Sequence, residues 1–135
     1  MTLGTTRICL FLVFFVSYLI HASAFFISYH RGHIYADEMR ELMITVLKIY
    51  SVHFAVIMGG FFAKKSKSKK IESYSFWVAL VSSVGWNLLL LWYSVLFGYM
   101  GKGTIIDLST YLNDISSWSS FLIVGVLAFF FIKQE

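Results

Sequence analysis

Hydrophobic positions fall in four long blocks, residues 8–27, 42–63, 74–100 and 115–132, separated by polar breaks at 28–41, 64–73 and 101–113. Each block has the length, roughly 17–25 residues, at which an apolar helix crosses the hydrocarbon of a bilayer. The third is long enough to tilt or to project past the lipid. Proline is absent, so no helix carries a proline kink. The pattern predicts an all-α fold, a single membrane domain over residues 1–135 built as a bundle of four transmembrane helices.

Composition strengthens this reading. Hydrophobic residues make up 59% of the chain and charged residues 13%, whereas a soluble domain carries about 25% charged residues. So few charges could not cover a globule of this size, and lipid is the solvent that suits them. The net charge of +4 does not point to nucleic acid, because five of the eleven basic residues sit in one short run of Lys64, Lys65, Lys67, Lys69 and Lys70. Between two apolar blocks, such a run reads as a topogenic loop on an anionic leaflet. The single cysteine, Cys9, makes no internal disulfide and says nothing of redox compartment.

The first block has a second reading. Arg7, an apolar core and Ala22-Ser23-Ala24 resemble a secretory signal peptide. Hydrophobicity continues through Phe25, Phe26 and Ile27, which favours a retained helix. Cleavage would leave three spans and an external N-terminus. With four spans, Lys64–Lys70, Arg7 and Lys133 fall on one side, and Arg31, Arg40 and Lys102 on the other. Basic loops stay cytoplasmic, so the expectation is an inner-membrane, multi-pass protein with both termini inside. Aromatic belts at the headgroup level fit it: Tyr74 and Trp77 inside; Tyr29, Tyr35, Trp92, Tyr99 and Trp118 outside.

Each block carries a seam of small or polar residues at helical spacing. The seams are Ser17, His21, Ala24 and Ser28; Lys48, Ser51, Ala55 and Gly59; Ala79, Ser83, Asn87, Leu90 and Ser94; and Asp114, Ser117, Phe121, Gly125 and Ala128. Residues so spaced share a helix face. Small residues let helices approach, and polar ones hydrogen-bond between them. The seams are expected to point inward, either as packing surfaces or as the lining of a water-filled path. Ser17, His21, Lys48, Ser83, Asn87 and Ser94 are the pore or seam candidates.

Ionisable residues inside a membrane are functional candidates by default. Lys48 is one, unless the second helix begins early, near Tyr35, and lets it snorkel to the headgroups. His30 and His33 form an H-x-x-H pair with Asp37 one turn on, a partial zinc set broken by a glycine. No metal site and no cofactor is assigned. No thiol pair, phosphate loop or nucleophile elbow is present, so no catalytic residue is named and a non-enzymatic protein is expected. Every Asp and Glu is expected in a loop or at a helix end, which disfavours a small proton-coupled exporter.

In size, in its four spans, in its first outer loop with His30, Arg31, Gly32 and His33, and in the basic loop Lys64–Lys70 before a long third helix, the chain resembles phage-exclusion channel proteins of temperate phage. It is similar also to the small transmembrane effectors of nucleotide-signalled defence operons. The second block, Leu42-Met43-Ile44-Thr45-Val46-Leu47-Lys48-Ile49-Tyr50, has a slighter resemblance to immunity proteins against pore-forming colicins. These resemblances lie in layout along most of the chain and bring over no site residues. They imply a homo-oligomeric, channel-like or membrane-disrupting effector in antiviral defence. The alternatives are an immunity or accessory protein that binds a membrane or cytoplasmic partner, the latter at the basic loop, and a small transporter.

Overall fold

The computed structural model describes residues 2–62 and 73–133; the basic run at Lys64–Lys70 lies outside them. The described chain is all-helical: α1 Leu3–His30, α2 Ala36–Phe62, α3 Ser73–Met100 and α4 Ile105–Lys133. Each of the four is long and apolar enough to cross a membrane. At 1.5 Å per residue each runs about 40 Å, which covers the hydrocarbon, about 30 Å thick, and part of both headgroup layers.

Local chemistry sets the ends. Thr2 caps α1 by accepting from the Thr5 N–H at 3.3 Å. At the other end Gly32 takes φ +72°, a conformation that costs glycine least. The His33 N–H then reaches the Ser28 carbonyl and the Gly32 N–H that of Tyr29, both at 3.0 Å, closing the helix as a Schellman motif. The Glu38 carboxylate reaches back to the Tyr35 N–H at 2.7 Å and starts α2. Thr104 and Asp107 form a reciprocal capping box at the start of α4. The Thr104 N–H donates to Asp107 Oδ2 at 3.0 Å, and the Asp107 N–H to Thr104 Oγ1 at 3.2 Å.

These caps move two boundaries away from the hydrophobic blocks. Helix α2 starts six residues before its apolar run and α4 ten residues before its own. A capped, amphipathic turn continues a helix whether or not its residues suit lipid. Two expectations change as a result. Asp114 lies nine residues inside α4 rather than at a helix end, and Trp118 sits near the middle of that helix rather than at a border.

Helix α1 packs on α2 and α3, and α4 packs on the same two, leaving α1–α4 and α2–α3 as the diagonals. Short turns make α1–α2 and α3–α4 antiparallel. Helices α1 and α3 run parallel, as the pairs His21–Ser94 and Ala24–Gly98 show. Gly98 permits that approach: a Cβ there would lie 2.5 Å from the Ala24 Cβ and 2.6 Å from its carbonyl oxygen. Where both turns meet, Arg31 Nη1 donates to the Tyr99 carbonyl at 2.7 Å. At the opposite end the buried Arg7 lies over the Phe131 ring, 5.9 Å from its centroid.

The surface is the reverse of a soluble bundle. Ile8, Leu12, Phe15, Val81, Leu88, Phe121 and Phe129 are exposed, while Ser17, His21, His53, Ser83, Asn87 and Ser94 are buried. A scattering of exposed apolar residues is ordinary, but an apolar exterior around a polar interior suits lipid.

Candidate functional site

The four seams separate into two pairs. Those of α1 and α3 are buried throughout: Ser17, His21, Ala24 and Ser28 against Ala79, Ser83, Asn87, Leu90 and Ser94. Those of α2 and α4 are not inside. Lys48, Ser51, Ala55, Gly59, Asp114, Ser117, Phe121 and Gly125 are exposed, and only Ala128 is half-buried. The inward faces of α2 and α4 are instead large, with Leu42, Val46, Tyr50 and Ile57, and with Leu108, Leu112, Leu127 and Phe130. Small positions on α1 and α3 leave the room that these larger side chains fill.

At mid-height the interior polar groups bond to one another. The Tyr50 hydroxyl donates to Asn87 Oδ1 at 2.8 Å across the α2–α3 diagonal, and Asn87 Nδ2 donates to the Ser83 carbonyl at 2.8 Å. His21 Nδ1 and Ser94 Oγ share a hydrogen bond of 2.8 Å. His53 Nδ1 faces the Ile49 carbonyl at 3.0 Å, so that nitrogen carries the proton and Nε2, 3.4 Å from Ser120 Oγ, is the acceptor. Trp86 Nε1 donates to Ser119 Oγ at 2.8 Å. Rings fill the space between: Phe14 stacks on His53 at 5.1 Å between centroids, and His53 lies 4.3 Å from Trp86. His21 Nε2 and Ser83 Oγ are buried without a hydrogen-bond partner. This core locks four helices together, and its side chains are packed rather than arranged around a channel.

The second polar region is on the outside. A groove of about 430 Å³ runs between α2 and α4, lined by Thr45, Lys48, Ile49, Val52, Asn113, Ser116 and Ser120. It offers one ammonium, one amide and three hydroxyls. Nearer the turn end a separate groove between the same two helices holds Glu38, Glu41, Ser109 and Thr110. At the floor of the first groove, Ser120 connects it to the buried His53. Lys48 lies twelve residues from the start of α2, about 18 Å down a helix of 27 residues.

Of the sequence candidates, the structure thus brings Ser17, His21, Ser83, Asn87 and Ser94 into the protomer core and places Lys48 apart, in the lateral groove. Sequence reasoning missed Asn113, which lies in a polar break that was not read as helix, and Ser116 and Ser120, which lie in the fourth predicted span but on a different face from the seam chosen there. For Asn113 the Thr104-x-x-Asp107 pattern was the available signal. Tyr50 and Trp86 were missed because an aromatic in an apolar run gives no sign of what its hydroxyl or indole N–H will meet. His30 packs on Phe26 and His33 lies against Gly101. Among the described residues no three His, Cys, Asp or Glu side chains gather as a metal site.

Comparison with known protein families, with curated proteins and with solved structures finds no match for this chain.

Proposed function

We propose that the protein is a multi-pass membrane protein that works as a homo-oligomer, its α2–α4 groove lining a water-filled path across part or all of the bilayer. One observation carries the reading: the polar groove holding Lys48 is open on the side of an otherwise apolar bundle. Helix α2 does begin early, at Ala36, with the charged turn Asp37–Glu41 ahead of its apolar run. Measured from Leu42, the Lys48 backbone lies about 9 Å down the helix, within reach of the headgroups for a snorkelling ammonium. The amide and hydroxyls that share its groove have no such reach. An amide and three hydroxyls at that depth need water or protein. Hydroxyls and amides solvate an ion without trapping it, as conduction requires.

The asymmetry of Lys and Arg supports an orientation with both termini in the cytoplasm, and an inner-membrane location rests on the layout resemblance. The layout shared with phage-exclusion and defence membrane proteins supports a role as an effector that dissipates the membrane potential. Asp114, inside α4, also supplies the intramembrane carboxylate that a small proton-coupled transporter needs, which keeps that alternative in the comparison.

Induced expression with a potential-sensitive dye tests the reading. Wild type is expected to depolarise cells. A Ser116→Leu/Ser120→Leu variant is expected to insert equally and leave the potential intact. No depolarisation by wild type at full expression would refute the effector reading. A flux that saturates with solute and follows the proton gradient would replace it with the transporter.

A further inference from the structure

All four helices meet at His53, whose ring on α2 is fully buried. From α1, Phe14 stacks on it with centroids 5.1 Å apart, and from α3, Trp86 lies 4.3 Å away. Two consecutive serines of α4 hold this cluster: Ser119 accepts from Trp86 Nε1 at 2.8 Å, and Ser120 Oγ lies 3.4 Å from His53 Nε2. Since the Nδ1–H is committed to the Ile49 carbonyl, Nε2 carries the ring's lone pair and turns it toward a side chain that lines the α2–α4 groove. Among the described residues no carboxylate pairs with the ring. On α1 the titratable Tyr18 and His21 pack on Tyr50, which itself donates to Asn87. On α3, Tyr93 stacks on Tyr111 of α4, and Asp114 of α4 is outside the groove lining. Lys48, five residues before His53, is the charged group on the groove side. His21 is equally buried but has no such route, for its Nδ1 is shared with Ser94 and its Nε2 is without a partner.

We infer that His53 is a proton-binding site served from the α2–α4 groove through Ser120, so that the charge at the groove wall follows the pH of the water it holds. The inference rests on the proposed water-filled groove. Imidazole is the side chain that changes charge closest to neutral pH. A hydronium ion in the groove gives a proton to Ser120 Oγ as the Ser120 hydroxyl proton passes to Nε2, and a neutral water stays behind. The ring then holds a proton on each nitrogen. The Nδ1–H still donates to the Ile49 carbonyl, and the new Nε2–H donates to Ser120 Oγ, which has lone pairs to accept it. No heavy atom has to move. A buried cation without partners would be costly, but this one keeps two acceptors and lies against the Phe14 and Trp86 rings, whose π-systems attract positive charge. The contacts of the neutral ring therefore serve the charged one as well, and uptake is reversible.

Nitrogen-15 NMR of the full-length, histidine-labelled protein in lipid bilayers tests this. Replacing the exposed His30 and His33 by glutamine leaves two histidines to resolve, and His53→Gln assigns them. As the pH is lowered, the His53 signal should pass from one protonated nitrogen to two, while His21 keeps one. Ser120→Leu should cut the doubly protonated share of His53 at least about fivefold at the pH where wild type is half converted, and Ser120→Thr should restore it. The wild-type titration stands by itself should a variant fail to fold. His53 singly protonated throughout, in bilayers where Ser116→Cys is labelled from water, would overturn the inference and leave the wet groove standing. No labelling at Ser116→Cys and no change at His53 would remove both. Conversion of His53 that is unaltered in Ser120→Leu, or that is shared by His21, would show that protons arrive by another route and would overturn the assignment to the groove.

Discussion

Asn87 shows what a polar residue does in the middle of this bundle. Its amide joins α3 to the Tyr50 hydroxyl of α2 and to its own preceding turn. With Asn87 bonded inside a single chain, its removal should weaken the protomer rather than abolish a path. Asn87→Leu and Tyr50→Phe are each expected to lower stability in detergent by about 0.6–2 kcal/mol. Their combination should cost little more than Asn87→Leu alone, because both remove one shared bond. Fully additive losses in a double-mutant cycle would refute that coupling. Glycines divide in the same way. Gly98→Ala must push the Ala24 backbone away and should cost about 1–3 kcal/mol through overpacking. At Gly85 a Cβ meets nothing within 4 Å, so Gly85→Ala should be neutral or slightly stabilising. Thermal unfolding of the two variants side by side decides this, and equal losses would contradict the close approach of α1 and α3.

At the scale of elements, four helices were legible because length and hydropathy alone define a span. Their ends were less so. The hydrophobic block of α4 begins at residue 115, yet the helix begins at Ile105, held by Thr104 and Asp107. Hydropathy reports where lipid would be, whereas capping reports where hydrogen bonding starts, and the two differ by three turns here. Thr104→Ala should therefore release the first turn of α4, at a cost of about 0.5–2 kcal/mol. Amide exchange at residues 105–108 should quicken while exchange at 120–130 stays unchanged. Uniform protection across α4 would show that tertiary packing, not the cap, holds that turn. The seams on α1 and α3 were legible as inward faces, and those on α2 and α4 were misjudged. Periodicity shows that a face wants a close neighbour and cannot show whether that neighbour is in the same chain.

For the whole molecule, helix pairing and the polarity of its surfaces suggest a division of labour. The α1–α3 side supplies the close-packed core, and the α2–α4 side keeps polar groups on the outside, at a depth where a lone chain would expose them to lipid. The topology proposed from the basic residues expects a reporter fused after Glu135 to read cytoplasmic, and a periplasmic signal there would invert the assignment. The central claim, that the α2–α4 groove holds water while the rest of the exterior meets lipid, is tested most directly by thiol accessibility in intact membranes. In a Cys9→Ser background, Ser116→Cys and Asn113→Cys should react with a small, charged, water-borne thiol reagent far faster than Leu88→Cys or Val81→Cys, which lie on apolar surface. Equal, negligible labelling at all four positions would show that the groove is dry and would contradict the account.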